Sequence, residues 1–349
     1  MRRIKIYAAV LAAAAVLASG CGSSGQAVAE SPEESGIESS VQPESGGSVE
    51  SEEPLASDSG DTQEQVIIEE SQVPLYTRPQ GSNVRVPQAS GTVVYSNSTV
   101  TVDASNTSNG YVMVQYTGGA SKIKVQVMKS GGETYTYDLN ARSAYEVFPL
   151  TEGNGTYTVR VLEQVQGNQY GVKLSQDMNV SLSNEFEPFL YPNQYVNFTV
   201  NSKAVQKGAE LASAAADDLG IVTNVYNYVV DNFTYDTAKA ASVQSGYLPN
   251  VDEIMDKQTG ICFDYAAVMT AMLRSQNIPT KLVVGYTGSL YHAWVDVYLE
   301  GQGWVDNIIY FDGNRWRMMD PTFASSGKND PSIQQYITNT ANYQAKYAY

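Results

Sequence analysis

The sequence contains two cysteines and a single histidine, so the places they occupy carry unusual weight. Cys262 follows Gly260-Ile261 and opens the run CFDYAAVMTAMLR, residues 262–274, whose composition predicts a helix. A thiol in the first turn of a helix meets free backbone N–H groups and the positive end of the helix dipole, which favour a thiolate. Nucleophilic chemistry without a metal follows from that placement. Thirty residues further on, His292 lies in Tyr291-His292-Ala293-Trp294-Val295-Asp296-Val297-Tyr298. The alternation predicts a strand with His292, Trp294 and Asp296 on one face and Ala293, Val295 and Val297 on the other. Trp316-Arg317-Met318-Met319-Asp320-Pro321-Thr322 predicts a neighbouring strand that ends at Asp320, because proline cannot extend the ladder. An adjacent strand end can bring that carboxylate within reach of an imidazole. Asp264, Asp296, Asp306 and Asp312 read as solvated or capping groups.

These residues need elements to hold them. Beyond the Cys262 helix, Asn277 can take the left-handed conformation and Pro279 stops continuation, before a strand at 281–286. Upstream, Ser202 is placed to cap a helix running through Ala209, Leu211 and Ala215, and residues 221–233 predict a second helix with Val225, Tyr226, Val229 and Val230 on one side. Asn250 and Glu253 form a capping pair for a short helix before Gly260. Helices followed by strands predict an α+β domain over residues 188–349. Residues 81–187 differ: short β-branched or alternating runs such as Thr99-Val100-Thr101-Val102 and Ile123-Lys124-Val125-Gln126-Val127 recur between glycine turns. About seven such strands predict a β-sandwich, and the stretch from Pro149-Leu150 to Gly155-Thr156-Tyr157 resembles a turn in bacterial immunoglobulin-like modules. The tyrosines of this region are expected on sheet faces rather than as a platform for sugars.

The order Cys262, then His292-Ala293-Trp294, then Asp320-Pro321-Thr322, with Leu273-Arg274 before Ile278-Pro279 and Val283-Val284-Gly285-Tyr286 after it, resembles the bacterial transglutaminase-like domain family of papain-like cysteine enzymes. The resemblance covers residues 215–325. It implies a nucleophile-bearing helix packed on an antiparallel sheet, with Cys262 as nucleophile, His292 as general base and acid, and Asp320 orienting the imidazole. Such a set forms a thioester with an acyl group and protonates the leaving amine. The backbone N–H of Cys262 is one natural oxyanion donor, and Gln258 and Tyr235 are candidates for a second. Asn277 and Lys281 depart from the family's usual Gly and Arg.

The amino terminus sets the expected compartment. Arg2, Arg3 and Lys5 precede an apolar run at 6–17, too short to span a bilayer and suited to a secretory signal at 1–20. Leu17-Ala18-Ser19-Gly20-Cys21 resembles a bacterial lipobox, which implies lipidation of Cys21 and attachment to the outer face of the cytoplasmic membrane. Residues 22–77 lack Lys and Arg, hold 13 of the 37 acids and are rich in Ser and Gly. Such a segment cannot bury enough apolar surface to offset its ordering entropy, so residues 21–80 are expected to be a disordered tether. The net charge of −16 without a basic cluster gives no footprint for nucleic acid. One histidine and no calcium-loop pattern argue against a metal, and no cofactor is expected.

Two classes of function fit. The first is an exported thiol enzyme acting on peptide or amide bonds, with peptide or protein substrates of the cell envelope and hydrolysis as the default over transamidation. The second is a catalytically silent surface binding or scaffold protein. The membrane is a partner only through the lipid.

Overall fold

The computed structural model describes residues 83–305, 309–311, 316–318 and 342–349. The signal, the lipobox with Cys21 and the acidic tether, together with Asp306, Asp312 and Asp320, lie outside the described residues.

Eight strands build the first half: β1 Val94–Ser96, β2 Val100–Asp103, β3 Tyr111–Tyr116, β4 Ile123–Lys129, β5 Thr134–Asp138, β6 Glu146–Pro149, β7 Gly155–Gln166 and β8 Gln169–Val180. They form two antiparallel four-stranded sheets, in the orders β1-β2-β3-β6 and β5-β4-β7-β8. Alternation sets which side chains turn inward. Ile123, Val125 and Val127 of β4 and Val112, Val114 and Tyr116 of β3 are buried, while Lys124 and Gln126 reach solvent. The two inner faces meet where Tyr137 of β5 packs edge-on against Phe148 of β6, with ring centroids 5.2 Å apart. Tyr116, Tyr135, Tyr137 and Tyr157 are core residues. Gly110, at φ 77°, turns the chain into β3 so close to Pro188 that a Cβ there would lie 2.5 Å from its ring.

Among the described residues, the second half carries five helices: α1 Lys203–Ser213, α2 Asp218–Asn232, α3 Thr237–Ser242, α4 Val251–Lys257 and α5 Cys262–Ser275. Two-residue strands β9 Thr234–Tyr235 and β10 Thr259–Gly260 pair in parallel between them. Then come β11 Thr280–Thr287, β12 Leu290–Leu299, β13 Gly303–Val305, β14 Ile309–Phe311, β15 Trp316–Met318 and β16 Tyr343–Ala348. Local chemistry explains the boundaries. Asp217 caps α2 by accepting the Gly220 N–H at 2.7 Å, and Asn250 caps α4 by accepting the Glu253 N–H at 3.2 Å. Ser202 precedes α1 but does not cap it with its side chain: its hydroxyl accepts the Thr199 N–H, and Asp252 takes the Lys203 N–H at 2.7 Å. The helix ends at Ser213, two residues short of Ala215.

Strand β12 lies between β11 and β13, and β16 adds to the far side of β11, giving a sheet in the order β13-β12-β11-β16. Strand β15 pairs with β14, and among the described residues no ladder joins it to β12, contrary to the sequence expectation of direct neighbours. Helix α5 is buried along almost its whole length, from Asp264 to Ser275, and packs on β11 and β12. Its far end is fixed by Arg274, fully buried, whose guanidinium donates to the carbonyls of Thr280, Tyr191 and Tyr349 at 2.5–2.9 Å. Burial pushes this side chain down to about 9, still above neutrality, so the cation persists among the carbonyl dipoles. Asn277 takes the left-handed conformation with φ 62° and turns the chain into β11.

The described residues fall in one compact unit. A continuous core runs from the sheet pair through the helices to Tyr349. Tyr135 of β5 accepts the Ala348 N–H at 3.3 Å, and the Asn83 N–H reaches the Ser275 carbonyl at 3.0 Å.

Candidate active site

The first turn of α5 is built around Asp264. Its carboxylate is fully buried and accepts the N–H of Ile261 at 2.9 Å, holding the residue before Cys262 in extended conformation as the helix begins. Asp264 is therefore the capping group of the two roles the sequence left open. A buried carboxylate needs compensation. Lys239 of α3 donates to Oδ2 and Tyr247 donates to Oδ1, both at 2.6 Å, while Lys239 Nζ also lies 2.6 Å from the Tyr247 hydroxyl. Burial first, and the carboxylate it donates to second, push the Tyr247 hydroxyl far above its ordinary value, so it remains a donor. Lys239 balances the charge of Asp264, so the field that the helix terminus presents to Cys262 is not cancelled by the acid two residues away.

Cys262, 5% exposed, is the first helical residue. His292, 6% exposed, sits on β12 directly opposite Gly285 of β11. The imidazole stacks on Trp294 with centroids 6.3 Å apart and meets Tyr343 of β16 at 6.5 Å, so it is packed on the face that the alternation assigned to it. Both residues line one cleft of about 210 Å³, together with the loop at 244–247 and the rings of Tyr195, Phe263, Tyr291 and Tyr349. The structure thus brings a thiol and an imidazole, thirty residues apart in sequence, to one concave surface. That pairing suits covalent catalysis on an acyl carbon.

Neither Gln258 nor Tyr235 lines the cleft. Gln258 closes α4 in the left-handed conformation and turns its amide to the Tyr228 hydroxyl at 3.3 Å. Asp296 departs from the expectation of a solvated acid: it is 7% exposed and stands opposite Lys281 in the β11–β12 ladder. Among the described residues no group of three or more His, Cys, Asp or Glu could hold a metal ion, and no helix is long and apolar enough to cross a membrane.

Sequence reasoning missed Tyr195, Tyr247, Tyr343 and Tyr349. Their contacts depend on tertiary packing, and only the motif position of Asp264 hinted that something must neutralise it. Tyr195 packs at a tilt on Tyr349 at 4.4 Å and on Phe263 at 5.5 Å, and Tyr137 of the sheet pair backs Tyr349 at 5.9 Å.

Residues 206–321 match the model of the Transglutaminase-like superfamily, and this part of the chain is a transglutaminase-like domain. Two curated relatives are similar to the chain: the uncharacterized protein YebA of Bacillus subtilis, 24% identical over 223 residues and 56% of this chain, and a protein-glutamine gamma-glutamyltransferase of Pseudomonas aeruginosa, 26% identical over 109 residues and 27% of this chain. The chain spans 28% and 14% of their respective lengths. Among solved structures, the periplasmic domain of TgpA from Pseudomonas aeruginosa is similar over 69% of this chain and all of its own, at 16% identity and a TM-score of 0.31.

Proposed function

We propose that the protein is a thiol enzyme that cleaves or transfers peptide or amide acyl groups, with Cys262 as nucleophile, His292 as general base and acid, and Asp320 as the group that orients the imidazole. The observation that carries this reading is the shared cleft of Cys262 and His292. In the first half-reaction the Cys262 sulfur bonds to the acyl carbon, the carbon–nitrogen bond breaks, and the proton held by His292 goes to the leaving amine. In the second, His292 takes a proton from water, the oxygen bonds to the acyl carbon, and the thioester breaks to return the thiol. The Cys262 N–H is positioned in the chain to receive the developing oxyanion, as the first amide of α5.

Water is the default acyl acceptor in this reading, ahead of an amine. Lipidation at Cys21 would hold this enzyme at the outer face of the cytoplasmic membrane, with envelope peptides or proteins as substrates. A thiol-directed activity probe on wild type and Cys262→Ala, followed by a peptide library with and without added amine, tests the reading. Labelling confined to wild type and products that incorporate water support it. Equal labelling of the two forms would leave the surface-binding alternative.

A further inference from the structure

The walls of the cleft bear on substrate choice. Four tyrosines and one phenylalanine line it, with aliphatic contributions from Val243, Ile261 and Val284, and no Lys, Arg, Asp or Glu is among the described lining residues. Tyr195, Tyr247, Phe263 and Tyr291 are each only half-buried, so they offer apolar surface beside Cys262 that a ligand would remove from water. The rings are held rather than loose. Tyr195 is packed at a tilt between Tyr349 and Phe263, and Tyr247 is tied by its hydroxyl to Asp264 while its ring meets Phe263 edge-on at 6.5 Å. Rigid aromatic walls lose little entropy on binding.

We infer that this wall is a subsite for a large uncharged side chain, aromatic above all, on the residue that carries the reacting carbonyl. The inference rests on the proposed thiol chemistry and names its substrate class. Size agrees: about 210 Å³ is below the range of roughly 300–1,000 Å³ that holds whole drug-sized ligands, and suits one side chain. Charge agrees too. Lys239, which donates to the Tyr247 hydroxyl, is already matched by Asp264, so among the described lining residues a substrate carboxylate or ammonium meets no Lys, Arg, Asp or Glu to offset its desolvation. Aromatic faces alone can attract a cation, but here three of the rings are already engaged with one another.

Peptidyl chloromethyl ketones that differ only in the side chain next to the ketone test this. Alkylation forms a bond from the Cys262 sulfur to the methylene carbon and expels chloride, and intact mass reports its rate. The benzyl probe should react at least about tenfold faster than the methyl probe, as burying a ring against aromatic neighbours warrants. The carboxylate and ammonium probes should be slower than methyl. Tyr247→Ala should remove most of the benzyl advantage, whereas Tyr247→Phe, which loses the same hydrogen bonds but keeps the ring, should retain it. Equal rates across the series, or an ammonium probe that reacts fastest, would overturn the subsite. So would a wild type that iodoacetamide alkylates but no ketone does, and that result leaves the thiol chemistry standing. Failure of the parent reading shows separately, as iodoacetamide rates that do not change between wild type and His292→Ala.

Discussion

Asp264 accepts the main-chain N–H of Ile261 at 2.9 Å, and so the acid two residues after the cysteine fixes the backbone just before it. The same carboxylate receives Lys239 and Tyr247, joining the first turn of α5 to α3 and to the loop that walls the cleft. One buried group therefore sets both where the thiol stands and how the cleft is shaped.

Asp264→Asn should cost about 3 kcal/mol of folding stability, the lower end for breaking a buried pair, because Lys239 keeps 28% of its side chain exposed. Tyr247→Phe should cost about 2 kcal/mol, because its hydroxyl bonds to the charged Asp264 and Lys239. Chemical denaturation measures both, and an Asp264→Asn protein as stable as Tyr247→Phe would show that the ion pair is not structural.

Gly285 stands opposite His292 where the β11–β16 ladder is irregular, and a Cβ on it would lie 2.0 Å from the Gln344 carbonyl oxygen and 2.9 Å from the Trp294 ring. No rotamer relieves a clash with backbone. Gly285→Val should push β16 from β11, disturb the packing of Tyr343 on His292 and cost about 2 kcal/mol or more. A melting temperature unchanged from wild type would mean that β16 does not bear on β11 as described.

Burial is the largest cause that raises the hydroxyls of Tyr137, Tyr157, Tyr195 and Tyr349 above the ordinary value of 10.0. Their folded values exceed their unfolded ones, so between the two the folded state binds more protons and stability falls as pH rises. The contribution is complete below about pH 10 and is lost above it. Melting temperature should hold through neutral pH and drop beyond that point, with tyrosinate absorbance from these residues appearing together with unfolding. A fold that persists while every tyrosine ionises near its ordinary value would contradict the burial.

Asp320→Asn should slow acylation at least tenfold and up to about 10⁴-fold, the loss seen when an orienting carboxylate is removed. Asp296→Asn should act on stability instead, since Asp296 is buried opposite Lys281 in the ladder. Acylation rates and melting curves of the two variants separate the roles. Loss of rate in Asp296→Asn with Asp320→Asn near wild type would transfer the orienting role.

The site was legible where chemistry and local pattern coincide. Cys262 after Ile261 begins a helix because the run behind it favours one and Asp264 caps it, and the alternation around His292 fixes its face of β12. Strand β8 was less legible: half of Gln169–Val180 is exposed and full burial comes only near its end, so its apolar signal is faint. Strand β16 could not be read at all as part of the sheet. It pairs with β11 across some sixty residues of sequence, and nothing local in Tyr343–Ala348 reports that partner. The aromatic wall was hidden for the same reason, as Tyr195 and Tyr349 meet only in the folded chain.

The central claim is that Cys262 and His292 act as a pair, and acetylation by p-nitrophenyl acetate tests it directly. Mass mapping of wild type, Cys262→Ala and His292→Ala at neutral pH gives the site and the rate of the thioester. The acetyl group should be found on Cys262, should be absent from Cys262→Ala, and should form about a hundredfold more slowly or less in His292→Ala, as loss of a general base warrants. Acetylation of Cys262 at the wild-type rate in His292→Ala would contradict the account.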